Sequence, residues 1–174
     1  ITATVAVPTM YQMLLDAGLD GRDTRSLTTL LCGGAPCPDP LLDAWLDRGF
    51  MFRQGFGMTE TCGLATGALG AYLVDKPGSV GPVLPVFEAR VVDEQGNDLP
   101  VGEAGEVLMK SAQVIRGYLN REDATRETIV DGWLHTGDIG KFDADGFLYI
   151  VDRAKDMVLR GGENISCGEV ESIL

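Results

Sequence analysis

The period of apolar and polar residues changes along the chain, and the changes divide it. Residues 1 to 7, rich in Thr and Val, form a short β-branched run, and Pro8 follows where a first helical turn tolerates it. Met10, Tyr11, Met13, Leu14 and Leu15 then make one apolar helix face, closed by Gly18. A second strand, residues 27 to 32, runs into Gly33-Gly34-Ala35-Pro36. The helix after it sets Leu41, Leu42, Trp45 and Leu46 at helical spacing and ends at Gly49, before a third strand over 50 to 53. Strand alternating with helix predicts an α/β fold with a parallel sheet. Ligands of such sheets sit at the carboxyl ends of strands, where the glycine turns 33 to 36 and 55 to 57 both fall.

From Lys76 the texture shifts to alternation. Lys76-Pro77-Gly78-Ser79-Val80-Gly81-Pro82 marks a connection, and strands over 88 to 92 and 106 to 110 flank the turn Asp93-Glu94-Gln95-Gly96-Asn97. A short helix opens at Asn120-Arg121-Glu122-Asp123 and runs to Ile129. Asp131-Gly132-Trp133 turns out of it into Leu134-His135-Thr136-Gly137-Asp138, and Asp143-Ala144-Asp145-Gly146 is a hairpin turn between two more strands. This half reads as a small antiparallel sheet or barrel. Ser166-Cys167-Gly168-Glu169 fits a capping box that starts a last helix. The expected division is residues 1–75, an α/β subdomain; 76–151, a β-rich, barrel-like subdomain; and 152–174, the start of an α+β domain. The chain opens in mid-strand and stops in mid-helix without polar tails, so an internal fragment is expected.

Charge narrows the partners. A net charge of −12 and a pI near 4.4 oppose binding to nucleic acid or an anionic membrane. An anionic substrate would need backbone N–H groups, a helix N-terminus or a cation. Cys32, Cys37, Cys62 and Cys167 have no C-x-x-C spacing and read as buried small hydrophobes in a reducing, cytoplasmic setting. No apolar run approaches the length of a transmembrane helix.

The densest chemistry lies in Gln54-Gly55-Phe56-Gly57-Met58-Thr59-Glu60-Thr61. Two glycines let backbone approach a flat or phosphorylated ligand, Phe56 offers a ring face, Thr59 a hydroxyl donor and Glu60 a hard-oxygen metal ligand. The same residues also suit a plain glycine turn into a helix, with Thr59 as N-cap and Glu60 at the positive end of the dipole. Asp138 is, by the same token, either an acceptor for paired hydroxyls or a turn aspartate. His135 reads as a hydrogen-bonded spacer.

Taken together, Gly33-Gly34-Ala35-Pro36, Gly55 through Glu60, Thr136-Gly137-Asp138 and Asp152-Arg153-Ala154-Lys155-Asp156 resemble the adenylate-forming superfamily of acyl- and aryl-CoA synthetases, peptide-synthetase adenylation domains and luciferases. Lys76-Pro77-Gly78-Ser79-Val80-Gly81 and Gly117-Tyr118-Leu119-Asn120-Arg121 are similar to its connections. The resemblance implies a ligase that joins a carboxylic acid to the α-phosphate of Mg·ATP and passes the acyl group to CoA. It places ATP or AMP against Gly33, Gly34, Ala35, Pro36, Gln54, Gly55, Phe56, Gly57, Met58, Thr59, Asp138 and Arg153, with Thr59 and Glu60 catalytic and Glu60 on Mg²⁺. The family more often has tyrosine where Phe56 stands. Lys155 would be a hinge, and Gly161, Gly162, Glu163 and Asn164 the loop that serves thioester formation.

Within the family, Met58 and the run from Asp152 to Met157 look more like CoA ligases than peptide-synthetase modules, and the resemblance as a whole is to a fatty- or short-chain acyl-CoA ligase. The phosphate-wrapping Ser/Thr/Gly-rich loop and the C-terminal catalytic lysine that the family implies are not in the sequence, so the chain alone is expected not to turn over. The alternatives are a non-catalytic AMP-binding module and an adenylation domain that loads a carrier protein. Acyl class and oligomeric state are not encoded in any motif.

Overall fold

The computed structural model describes residues 1–19, 21–67 and 75–154, together with the backbone of 158–160 and 163–165. The first sheet is parallel. Strands β1 (Ala3–Ala6), β2 (Thr29–Cys32) and β3 (Met51–Gln54) lie in that order, with Ala3 opposite Thr29 and Cys32 opposite Gln54. Helices α1 (Pro8–Asp16) and α2 (Asp39–Leu46) connect them, each with proline in its first turn. Proline there loses only an N–H that no helical carbonyl would have accepted.

Alternation along each strand decides which face is covered. Leu30 and Cys32 on β2 and Phe52 on β3 point into a core closed by Tyr11 of α1 and by Leu41, Leu42 and Trp45 of α2. Tyr11 meets Trp45 and Phe52 edge-on, at ring separations of 5.6 and 5.2 Å. Its hydroxyl donates to the carbonyls of Leu31 (2.9 Å) and Thr4 (3.2 Å), so one side chain ties α1 to both β1 and β2.

The second sheet is antiparallel throughout. Strands β6 (Gly81–Pro82), β11 (Phe147–Arg153), β10 (Trp133–Phe142), β8 (Gly105–Lys110) and β7 (Glu88–Val92) neighbour one another in that order, and β9 (Ile129–Val130) pairs with β10. Among the described residues this path runs from β6 to β7 with no pairing between those two strands. Val91, Val107, Met109, Leu134 and Leu148 face its core. Trp133 lies between Arg90 and Lys110, whose cationic groups stand 5.3 and 5.4 Å from its ring. Lys76 bridges Asp143, at 2.8 Å, and Asp145 across the β10–β11 turn, and Ser79 donates to the Leu148 carbonyl at 2.9 Å. These contacts fasten the segment before β6 to the sheet.

Element boundaries shift by one to three residues from those read in the sequence, because strand ends and caps depend on tertiary partners. Three readings change more. Cys32 and Cys37 are buried as expected, but Cys62 is exposed, in a left-handed conformation at φ 54°. Thr59–Thr61 form a single 3₁₀ turn with Met58 in the capping position, so Thr59 caps no helix. Thr136, Gly137 and Asp138 sit inside the long strand β10, so Asp138 is not the turn aspartate that was its alternative. Strands β12 (Val158–Arg160) and β13 (Glu163–Ile165) pair as a hairpin, Arg160 opposite Glu163. Glu163 and Asn164 thus lie on a strand, whereas Lys155, Gly161, Gly162 and the capping box from Ser166 lie outside the described residues. No helix of the described residues is long and apolar enough to cross a membrane.

Burial, with Cys32 beside it, pushes the Tyr11 hydroxyl up to about 12. A value raised above the free tyrosine value of about 10 means that Tyr11 contributes stability in full below that pH and loses it as pH rises towards its folded value. Tyr11→Phe is expected to cost about 1 kcal/mol at neutral pH through its lost hydroxyl bonds. It should also flatten part of the fall in melting temperature between pH ~10 and ~12. Thermal melts across that range check both.

Candidate active site

The two glycine turns meet. Gly33 follows β2 and Gly55 follows β3, and the Gly55 N–H donates to the Cys32 carbonyl at 3.2 Å. A Cβ on Gly33 would stand 3.3 Å from the Gly55 carbonyl oxygen, and one on Gly55 would stand 2.9 Å from both Leu64 Cδ2 and the Thr66 carbonyl. Gly34, at φ 82°, turns the chain into the segment holding Ala35 and Pro36. The result is a wall of bare backbone at the carboxyl ends of β2 and β3, against which a planar group can lie close. Gln54 at the end of β3 is buried, and its Oε1 has no hydrogen-bond partner among the described residues.

Beyond the wall the chain folds back on itself. Strands β4 (Gly57–Met58) and β5 (Gly63–Leu64) form a minute hairpin around the 3₁₀ turn. A side chain at Gly57 would collide with the Gly63 carbonyl, so only glycine fits. Thr61, fully buried, closes the turn: its Oγ1 accepts from the Met58 N–H at 2.9 Å and lies 2.6 Å from the Gly63 carbonyl as donor. Thr66 Oγ1 accepts from the Phe56 N–H at 3.0 Å and donates to the Val80 carbonyl at 2.7 Å, which ties this loop to the antiparallel sheet. Phe56 and Met58 pack onto the core of that sheet, while Thr59 points its hydroxyl-bearing side chain to an exposed position.

Glu60 is held from a distant part of the chain. Tyr118 donates its hydroxyl to Glu60 Oε1 at 2.6 Å, and the Ile115 N–H donates to the Glu60 carbonyl at 2.9 Å. That bond to the Glu60 carboxylate, with some burial, pushes the Tyr118 hydroxyl above its ordinary value, because losing its proton would set two anions together. Among the described residues no three His, Cys, Asp or Glu side chains converge to cage a metal ion. A single carboxylate still fits Mg²⁺, which usually binds one or two carboxylates and takes water and substrate phosphates for the rest.

Asp138 is carried by a bulge. Between the pairs His135–Leu108 and Ile139–Glu106, β10 sets Thr136, Gly137 and Asp138 opposite the single Val107 of β8. Glu106 holds the bulge: its carboxylate accepts from the Gly137 N–H at 3.2 Å and lies 2.9 Å from His135 Nδ1. Thr136 Oγ1 donates to the Val107 carbonyl at 2.7 Å. Asp138 ends up buried, with the Arg153 guanidinium 3.4 Å from its Oδ1. His135 is thus the hydrogen-bonded spacer expected of it.

The predicted residues form two groups. Gly33 joins the 54–60 segment in direct contact, and Asp138 joins Arg153. The groups are linked through the shared core under Phe56, Met58 and Val107. Two residues escaped sequence reasoning: Tyr118 and Glu106. Tyr118 lay in a singled-out motif, but its partner is 58 residues away in the chain.

Glycine turns at parallel strand ends, leading into a hydroxyl and a carboxylate, define an α/β protein built to hold a ligand at the edge of its sheet. The chain belongs to the AMP-binding enzyme family, which matches residues 1–119. It is 43% identical over its whole length to a feruloyl-CoA synthase of Amycolatopsis, and 45% to a 2-succinylbenzoate–CoA ligase of Bacillus cytotoxicus. In both cases it spans only 36% of the relative's length. The structure of O-succinylbenzoate coenzyme A synthetase from Bacillus subtilis, in complex with ATP and magnesium ion, superposes with a TM-score of 0.90 at 38% identity. That match covers 99% of this chain and 36% of that one.

Thr66→Val keeps the shape of the side chain and removes the hydroxyl, leaving the Phe56 N–H and the Val80 carbonyl unpaired. An unmet buried group costs about 1–3 kcal/mol, so a loss of ~2–4 kcal/mol is expected. The shift of the urea midpoint at constant m-value measures it.

Proposed function

We propose that the full-length protein is a cytoplasmic acid–CoA ligase that activates a carboxylic acid with Mg·ATP to an acyl-adenylate, releases pyrophosphate and transfers the acyl group to CoA. The observation that supports this most is the contact between the two glycine turns, which leads without interruption into an exposed hydroxyl and a positioned carboxylate. The first half-reaction brings two anions together, so it depends on positioning and charge neutralisation more than on a proton-transfer base.

In this reading Gly33, Gly34, Ala35 and Pro36 run along the adenine edge, and Phe56 stacks on its face within the frame of Gln54, Gly55, Gly57 and Met58. Thr59 donates its hydroxyl to the α-phosphate. Glu60 holds Mg²⁺, whose charge would offset that of the phosphates. Asp138 accepts from the ribose hydroxyls, with Arg153 beside it fixing the carboxylate and adding a second ribose contact. Lys155 is the hinge between the unit 76–151 and the piece from 152, and the loop of Gly161, Gly162, Glu163 and Asn164 approaches the thioester-forming face. The parallel-sheet unit 1–75 supplies the adenine wall.

For the acid, the two relatives above are named for feruloyl and 2-succinylbenzoate, each of which carries a benzene ring, and this favours a carboxylic acid that bears an aromatic ring over the fatty or short-chain acid that the resemblance implied. Carboxylate-dependent exchange of labelled pyrophosphate into ATP, run with aryl, short-chain and long-chain acids, tests the proposal. Exchange with an aryl acid is expected. Exchange with none, while AMP still binds, would replace it with a non-catalytic AMP-binding module. Asp138→Ala should raise the KM for ATP by roughly 10- to 100-fold, the size of a lost hydrogen bond to a charged group.

A further inference from the structure

Tyr118 is a positioning residue for Glu60. We propose that its neutral hydroxyl holds one carboxylate oxygen of Glu60 so that the other faces a divalent cation, an inference that rests on reading Glu60 as the Mg²⁺ ligand. An ionised carboxylate has two oxygens and about four acceptor sites, so the 2.6 Å bond to Oε1 leaves Oε2 able to coordinate. The donor's lack of charge matters. A lysine or arginine in its place would cancel the negative charge that attracts the cation, whereas a phenol orients the carboxylate and leaves its charge intact.

The support for Tyr118 is itself built. The Tyr118 N–H donates to Thr125 Oγ1 at 2.9 Å, and that hydroxyl donates to the Arg121 carbonyl at 2.9 Å. This fastens Tyr118 to α3 (Glu122–Thr128), the helix after it. Gly117, at φ 150°, presses against the same threonine: a Cβ there would stand 2.6 Å from Thr125 Cγ2. The Ile115 N–H meanwhile pins the Glu60 backbone. Glu60 is therefore held at both its carbonyl and its carboxylate by one segment, residues 111–121, that leads from β8 into α3, a rigidity that a turn of three residues cannot supply alone.

The test uses the full-length protein, with Mn²⁺ as a paramagnetic probe and α,β-methylene-ATP as the nucleotide. Partners that orient a metal ligand typically set metal affinity by 10- to 100-fold. Tyr118→Phe is expected to weaken binding of the Mn²⁺–nucleotide complex, read by electron paramagnetic resonance, roughly tenfold. The Mg²⁺ concentration for half-maximal pyrophosphate exchange should rise by a similar factor, with the rate at saturating Mg²⁺ within about twofold of wild type. Thr125→Ser, which keeps the hydroxyl, should match wild type in both. A Tyr118→Phe protein that binds the complex as wild type does, while Glu60→Gln does not, overturns the positioning role alone. The same role falls if Tyr118→Phe lowers the saturated rate with no shift in Mg²⁺ dependence. If Glu60→Gln binds the complex normally, Glu60 is not the ligand and the reading beneath the inference fails with it.

Discussion

Thr66 holds the two halves of the molecule to one another. Its fully buried hydroxyl accepts from the Phe56 N–H, in the loop that leaves the parallel sheet, and donates to the Val80 carbonyl, in the segment that enters the antiparallel one. A hydroxyl can do both because its proton and its lone pairs lie in different directions. Buried groups of this kind are costly when unpaired and directional when paired, so the loop cannot slide along the sheet beneath it. The loop that carries the 3₁₀ turn and Glu60 is anchored to the antiparallel sheet at that bond.

Rigidity recurs wherever a polar group has to be presented. Asp138 is set by a bulge whose Gly137 and Thr136 are held by the Glu106 carboxylate and the Val107 carbonyl of β8. Glu60 is set by Tyr118 and Ile115. Neither carboxylate relies on its own local backbone. A chain of net charge −12 can bind an anion only where it places donors and one well-directed carboxylate with care, since diffuse charge would repel the ligand.

Much of the fold could be read from residue order. The helix faces around Tyr11 and Trp45, the strands from Met51 and Glu88, and the glycine turns are all governed by local spacing, and local spacing is what a sequence displays. The Thr59 cap and the turn at Asp138, each one of two open alternatives, fall for one reason: each depends on a partner strand. The hairpin of β4 and β5 is too short to show a period, and the bulge in β10 exists only in relation to β8. Cys62 was read as buried from its residue type, yet it occupies a left-handed turn position that faces outward. Family resemblance supplied Asp138 and Glu60 but not the residues that aim them. Tyr118 lay in view in a recognisable motif, and its hydroxyl acquires a purpose only when residues 60 and 118 are brought together.

The two tryptophans fall one to each sheet's half of the protein. Trp45 is sealed against Tyr11 and Phe50 in the parallel half. Trp133 is half-buried between two cations in the antiparallel half, three residues from the bulge. An indole in an apolar core and one flanked by positive charge emit at different wavelengths and meet quenchers differently. The protein thus carries two native optical reporters, one for each sheet, and the melting of either half can be followed separately without a label.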